Sequence, residues 1–201
     1  MPERGSLVVY VVDDDAAIRD SLALMLGLAG YATRLFADAE SFLVAFEPAW
    51  SGCVVADLRL PGLSGVELQA RIRERGSAIP FVIITAHGDV RAARDAFRAQ
   101  AVDFIEKPFE DVQLRAAIDS AFDLESARLE DAELRRVDTA KLARLTPRER
   151  EVLEHAVNGS HAKEIAAALG ISPRTVEVHK TRIMEKLEVR NIAELVRLRF
   201  R

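Results

Sequence analysis

Val54-Val55-Ala56-Asp57-Leu58-Arg59-Leu60-Pro61-Gly62 decides how the chain is read. Small and β-branched apolar residues run into one acid and then a Pro-Gly turn, the pattern of a buried strand that ends at Asp57. An acid at the carboxyl end of such a strand stands where open α/β sheets bind their ligands. It can be a metal ligand, a nucleophile or a strand-ending turn residue. For a lone Asp the turn residue is the default, so the neighbouring stretches decide.

Upstream, Leu7–Val12 is a strand-length apolar run closed by Asp13-Asp14-Asp15. Ile18, Leu22, Met25 and Leu26 follow at helical spacing, with Gly30 at the helix end. Tyr31–Phe36 alternates like a strand, and Asp38 opens a short helix carrying Phe42, Leu43 and Phe46. Downstream, Ser64 and Glu67 form a capping box that starts a helix. Pro80–Thr85 and Val102–Ile105 are two more strands, separated by a helix from Asp89 to about Gln100. A further helix begins near Asp111. Five strands alternate with five helical patterns, and strands this apolar are expected to be buried on both faces. That predicts a parallel sheet covered by helices on each side, ending near residues 122–125.

At 201 residues the chain suits one large domain or two small ones. Its 49% hydrophobic and 30% charged residues are ordinary for a globular protein. The apolar runs are too short to span a membrane, and no signal peptide is read at the start, so a cytoplasmic protein is expected. Cys53 is the only cysteine, which excludes an internal disulfide and points to core packing. The net charge of −4 is unevenly spread: residues 1–139 carry −9 and residues 140–201 carry +5. A basic tail on an acidic body suggests a polyanionic partner for the tail, against the plainer reading of a solvated surface.

Between the two, residues 123–142 lack Gly and Pro and favour a helical linker. Leu124, Leu129, Leu134 and Val137 keep no clean heptad, leaving a solvated spacer and a dimer coiled coil both open. Thr146 and Glu149 form a second capping box with Pro147 at the first helical position. Helices are expected at about 147–158, 162–169, 173–187 and 192–200. Within them Ala166, Gly170 and Val176 fall at the fifth, ninth and fifteenth positions counted from Ala162. This is helix-turn-helix spacing: a small residue where the helices cross, a glycine for the turn, and an apolar residue between the helices. The second helix offers Arg174, Thr175, Glu177, Val178, Lys180, Thr181 and Arg182 as groove-reading positions, with Val176, Ile183 and Leu187 as core. His179 reads either as a buried, satisfied histidine or as a phosphate contact, the structural role being preferred.

In a parallel sheet the strand ends gather Asp13 and Asp14, Asp57, Thr85 and Lys107 on one side. Clustered carboxylates repel one another and are costly without a cation among them. Two or three acids with few other ligands suit Mg2+, which keeps several waters and shares phosphate oxygens. A carboxylate nucleophile there could accept a phosphoryl group, with Lys107 and the Thr85 hydroxyl offsetting its charge. Taken singly, Asp13–Asp15 also read as helix N-terminal acids, Thr85 as a turn residue and Lys107 as a solvated lysine.

The stretches VVYVVDDD, VVADLRLPGLSG, VIITAHGD and VDFIEKPFED resemble the receiver domain of bacterial two-component response regulators. The resemblance implies a (βα)5 flavodoxin-like α/β fold and a phosphoacceptor, Asp57, served by a sensor histidine kinase. It implies Mg2+ held by Asp13, Asp14, Asp57 and the main-chain carbonyl of Arg59. It implies Lys107 as the phosphate-binding lysine after a cis bond to Pro108, and Thr85 with Phe104 as a switch pair. Arg59 and His87 occupy positions that tune loss of the phosphate. The stretch from Leu145 to Val189, with TPRE, KEIA, LGIS and RTVEVH, resembles the LuxR/NarL-type DNA-binding domain, and the whole chain is similar to the FixJ branch. The implied layout is a receiver at 1–123, a helical linker at 124–141 and a four-helix, all-α DNA-binding domain at 142–201. The family's last helix often makes a dimer contact, for which Leu195, Val196 and Leu198 are candidates. The function so implied is a transcription regulator that is not an enzyme beyond handling its own phosphate. It dimerises on phosphorylation and binds double-stranded DNA at palindromic promoter sites, with no membrane partner. A small phosphohydrolase and a constitutive DNA binder are the rival readings.

Overall fold

The computed structural model describes residues 7–86 and 101–200. The chain divides into two compact units, Met1–Leu129 and Glu130–Arg201. His87 and the helix expected from Asp89 to Gln100 lie outside the described residues.

In the first unit the apolar runs form β1 (Val8–Val12), β2 (Ala32–Phe36), β3 (Gly52–Asp57), β4 (Phe81–Thr85) and β5 (Asp103–Glu106). The described helices are α1 (Ala16–Leu28), α2 (Ala39–Ala45), α3 (Gly65–Glu74) and the long α4 (Asp111–Ala143). The strands lie in the order β2-β1-β3-β4-β5, and each recorded pairing is parallel. This is the expected (βα)5 flavodoxin-like sheet.

Alternation along the strands builds two cores. Tyr10, Val12, Val54, Ala56, Phe81 and Ile83 face one way, against Phe42 of α2 and Leu68 and Ile72 of α3. Val9, Val11, Cys53, Val55, Val82 and Ile84 face the other way, against Leu22 and Leu26 of α1 and Leu114, Ile118 and Phe122 of α4. Each fully buried Val, Ile or Phe contributes about 1.5–3 kcal/mol by leaving water, so the central strands anchor the unit. Cys53 is fully buried, and burial together with the nearby Glu125 carboxylate pushes its thiol well above the ordinary value. That is core packing, as expected.

Burial on both faces holds for β3 and β4 throughout and nearly so for β1. It fails for β2, where Leu35 is exposed, and for much of β5. The reason is topological: these two strands are the sheet edges, so each lacks a neighbour on one side.

Local signals set the helix starts. Asp15 caps α1 by accepting from the Ala17 N–H, and Asp38 caps α2 through the Ser41 N–H. The Ser64–Glu67 box opens α3 as the sequence predicts.

Helix α4 runs through the expected linker into the second unit. Its surface carries Arg135–Asp131 and Arg136–Glu133 ion pairs at helical spacing, and Leu124, Leu134 and Val137 stay exposed. The second unit continues with α5 (Pro147–Val157), α6 (Ala162–Leu169), α7 (Pro173–Leu187) and α8 (Ile192–Phe200). Their core gathers Leu145, Val152, Leu153, Ile165, Ala166, Val176, Ile183, Leu187 and Leu195. Leu195, a candidate for a contact between chains, therefore packs inside its own unit. Val196 is only partly buried. Among the described residues no helix is long and apolar enough to cross a membrane.

Candidate functional site

Because β1 and β3 are adjacent and in register, with Val12 opposite Ala56, the residues that follow them emerge side by side. Asp13 and Asp57 are both buried. Lys107, just beyond β5, bridges them: its Nζ donates to Asp13 Oδ2 at 2.8 Å and to Asp57 Oδ2 at 2.6 Å. Burial works against the charge on Lys107, but its hydrogen bonds to the two carboxylates outweigh that and hold the ammonium above its ordinary range. The Lys107–Pro108 peptide bond is cis. The Lys107 N–H donates to the Thr85 carbonyl at 2.7 Å, which ties the β5 exit to the end of β4.

The other carboxylate oxygens are also directed. Asp57 Oδ1 accepts from the Arg59 N–H at 2.9 Å, and Asp13 Oδ1 accepts from the Asp15 N–H at 2.9 Å. Thr85 is fully buried at the end of β4. The pairing of Ile83 with Phe104 puts Thr85 and Phe104 on one face of the sheet, with Phe104 half-buried. Asp14 and the Arg59 side chain are exposed. The structure thus brings Asp13, Asp57 and Lys107 into direct contact and leaves Asp14 at the rim.

These residues fit a hard divalent cation. Two buried carboxylates share a single ammonium, every donor is oxygen, and Asp14 adds a third acid beside Asp13. Among the described residues no group of three or more acids, histidines or cysteines is placed to hold a metal ion by itself. Mg2+ does not need one, since it keeps several of its waters.

Arg19 was not singled out by the sequence. Its Nη1 donates to the Asp13 main-chain carbonyl at 2.7 Å, fixing the end of β1 from the first turns of α1. An arginine at that spacing reads as solvent-facing, so no local signal marks it.

In the second unit Gly170 ends α6 in the left-handed conformation, φ 66°, and the Ile171 N–H bonds back to the Ala166 carbonyl at 3.0 Å. Ala166 and Val176 are buried, as helix-turn-helix spacing requires. Ser172 caps α7 through the Thr175 N–H, with Pro173 at the first helical position. Of the expected groove-reading residues, Arg174, Glu177, Val178, Thr181 and Arg182 are exposed. Thr175 and Lys180 are partly covered: the Thr175 hydroxyl pairs with Ser172 Oγ at 2.8 Å, and Lys180 reaches Glu177 at 3.3 Å. His179 lies on the partly covered side of α7. Its ring is partly buried, and among the described residues its Nδ1 has no hydrogen-bond partner within the protein.

A half-buried ion pair that sequence spacing could not show joins the first turn of α5 to the last turn of α7. Glu149, in the first turn of α5, is 3% exposed. Its Oε2 accepts from Lys186 Nζ of α7 at 2.7 Å and from the Thr146 N–H at 2.8 Å. Thirty-seven residues separate the two partners.

Comparison with known proteins gives a consistent result. Residues 9–119 match the response regulator receiver domain, and residues 143–199 match the bacterial regulatory proteins of the luxR family. The chain is 45% identical to the transcriptional regulatory protein FixJ of Bradyrhizobium diazoefficiens, over 96% of this chain and 94% of that protein. It is 38% identical to the transcriptional regulatory protein TdiR of Thauera aromatica, over 94% and 83% respectively. Among solved structures, full-length FixJ from B. japonicum matches with a TM-score of 0.59 at 45% identity, covering 96% of this chain and 95% of that one. The response regulator StyR matches with a TM-score of 0.83 at 40% identity, covering 96% and 98%.

Proposed function

Since the chain belongs to the response regulators that join a receiver domain to a LuxR-type DNA-binding domain, and is a phosphorylation-activated transcriptional regulator, we propose that Asp57 is its phosphoacceptor. The observation that carries this is the Lys107 ammonium held within hydrogen-bonding distance of Asp13 and Asp57 at neighbouring strand ends.

An Asp57 carboxylate oxygen attacks the phosphorus of a phosphohistidine on a sensor kinase. A P–O bond forms, the P–N bond breaks, and its electron pair returns to the histidine nitrogen. Lys107, already 2.6 Å from Asp57, faces the incoming phosphoryl oxygens, and the Thr85 hydroxyl donates to one of them. Mg2+ would be held by Asp13, Asp14, Asp57 and the Arg59 main-chain carbonyl, and when bound it supplies further positive charge to the phosphoryl group. Thr85 and Phe104 then act as the switch pair that reports the phosphoryl group to the sheet edge. Arg59 and His87 tune its loss.

The receiver spans 1–123 in this reading, the linker 124–141 and the DNA-binding domain 142–201. Phosphorylation drives homodimerisation, helped by the exposed Leu124, Leu134 and Val137 along α4. Two copies of α7 then meet palindromic half-sites about one DNA turn apart. Arg174, Thr175, Glu177, Val178, Lys180, Thr181 and Arg182 make the contacts, in the cytoplasm.

Phosphoryl uptake is tested by incubating the full chain with acetyl phosphate and Mg2+ and measuring intact mass. The expected result is one phosphoryl group per chain, carried on the peptide containing Asp57; uptake elsewhere contradicts the assignment. For the DNA interface, Arg182→Ala is expected to weaken binding uniformly across sequences. The slope of log affinity against log salt should become shallower by about 1, as for one lost phosphate contact. An unchanged slope in a salt titration removes Arg182 from the interface.

A further inference from the structure

We propose that Gly65 is a positioning residue for Asp57, required for its missing side chain and not for backbone freedom. This rests on the phosphoacceptor reading of Asp57. Gly65 is the first residue of α3 and is buried. It is absent from the glycines with positive φ, so its conformation is open to any residue. Glycine is also a poorer helix former than alanine, so helix formation does not favour it.

What singles Gly65 out is proximity. A Cβ built there would lie 2.5 Å from the Asp57 main-chain oxygen, 3.3 Å from its carbonyl carbon and 3.4 Å from Ile83 Cδ1. The Gly65 N–H also donates to the Leu58 carbonyl at 3.1 Å. A side-chain end in the way could swing aside, but this oxygen belongs to the end of a central strand. Its neighbour is tied down as well, because the Leu58 N–H donates to the Ile84 carbonyl at 2.7 Å. The Asp57 carboxylate is bound to the same segment through the Arg59 N–H. The start of α3 therefore presses the Asp57 backbone against β4, and the carboxylate moves wherever that backbone moves. An added methyl displaces both from Lys107.

The test uses the full chain with acetyl phosphate and Mg2+, so that kinase docking plays no part. Gly65→Ala is expected to lower the saturating rate of phosphoryl uptake about tenfold, because small displacements of reacting groups are costly. The second variant, Gly65→Ala with Ile83→Val, removes Ile83 Cδ1 and lets the new methyl slide away from Asp57. It is expected to recover part of the rate although its urea midpoint falls further, since a buried methyl is lost. Ile83→Val alone should react at nearly the wild-type rate. A rate that merely follows the midpoint down through both variants would overturn the positioning role. So would an unchanged rate in Gly65→Ala, or failure of both Gly65 variants to fold. If the wild-type chain takes up no phosphoryl group, the phosphoacceptor reading falls, and this inference with it. Uptake by the wild type with no effect at Gly65 overturns this inference alone.

Discussion

Asp57→Asn takes up no phosphoryl group from acetyl phosphate, and its affinity for DNA is the same with and without the donor. The amide keeps the size of the carboxylate and can still accept the Arg59 N–H that Asp57 Oδ1 accepts at 2.9 Å. It has no carboxylate nucleophile, so the acyl phosphate cannot form. The substitution also changes the charge balance around Lys107, which now faces two buried carboxylates at 2.8 and 2.6 Å. With Asn at 57, Asp13 is, among the described residues, the buried anion left touching the ammonium, one charge against one. The fold should therefore tolerate the change. Intact mass after incubation and a circular dichroism spectrum of the unreacted protein check the two halves. Loss of uptake with a native spectrum is the expected pair. Undiminished uptake would move the phosphoacceptor to another residue.

Glu149→Gln is expected to lower the stability of the second unit by about 1–2 kcal/mol, because Glu149 is buried but its partner Lys186 is 36% exposed and solvent screens part of the attraction. Burial pushes the Glu149 carboxyl up, but the Lys186 ammonium and the Thr146 N–H pull it down further, to about 2, from an ordinary value of 4.5. A group whose value is depressed in the folded state stabilises the fold above its unfolded value and loses that contribution as pH falls. The contribution of Glu149 is thus complete above about pH 4.5 and disappears as the pH approaches 2. In Glu149→Gln this part of the acid sensitivity should vanish. The measurement is urea unfolding of the full chain by circular dichroism at neutral and acid pH. Trp50, the only tryptophan, lies in the first unit, so its fluorescence identifies the transition that does not belong to the second. If the second-unit midpoint is unchanged at neutral pH, the pair contributes nothing net to stability.

Most of the architecture is legible in the sequence because it depends on local signals. Val54–Ala56 and Phe81–Ile84 are unbroken apolar runs, so their central position in the sheet is forced by the need to bury both faces. Ser64, Thr146 and Ser172 mark helix starts that the structure reproduces at those positions. Gly170 marks the turn between α6 and α7 because few other residues take a φ of 66° readily. The contact of Lys107 with Asp13 and Asp57 follows once the strands are ordered, since each residue stands at or just beyond a strand end.

What was not legible depends on contacts across long stretches of chain. The exposure of the apolar Leu35 in β2 comes from the strand's edge position, which the residue itself does not announce. The Glu149–Lys186 pair joins two helices whose packing angle the sequence does not state. Arg19 looks like any surface arginine until the Asp13 carbonyl is placed beside it. Leu195 reads as an apolar residue on the last helix, and only the packed core shows that it faces inward. Gly65 sits in a capping sequence that accounts for Ser64 and Glu67 but gives no reason for a glycine between Ser64 and Val66.

The central claim is that a phosphoryl group on Asp57 controls an output made by α7. Its most direct test is the equilibrium affinity of the full chain for a selected DNA site, at one fixed salt concentration, with and without acetyl phosphate and Mg2+. The account predicts a marked rise in affinity on phosphorylation for the wild-type chain and none for Asp57→Asn. Equal affinity of the phosphorylated and unphosphorylated wild-type chain, with uptake on Asp57 verified by mass, would contradict it.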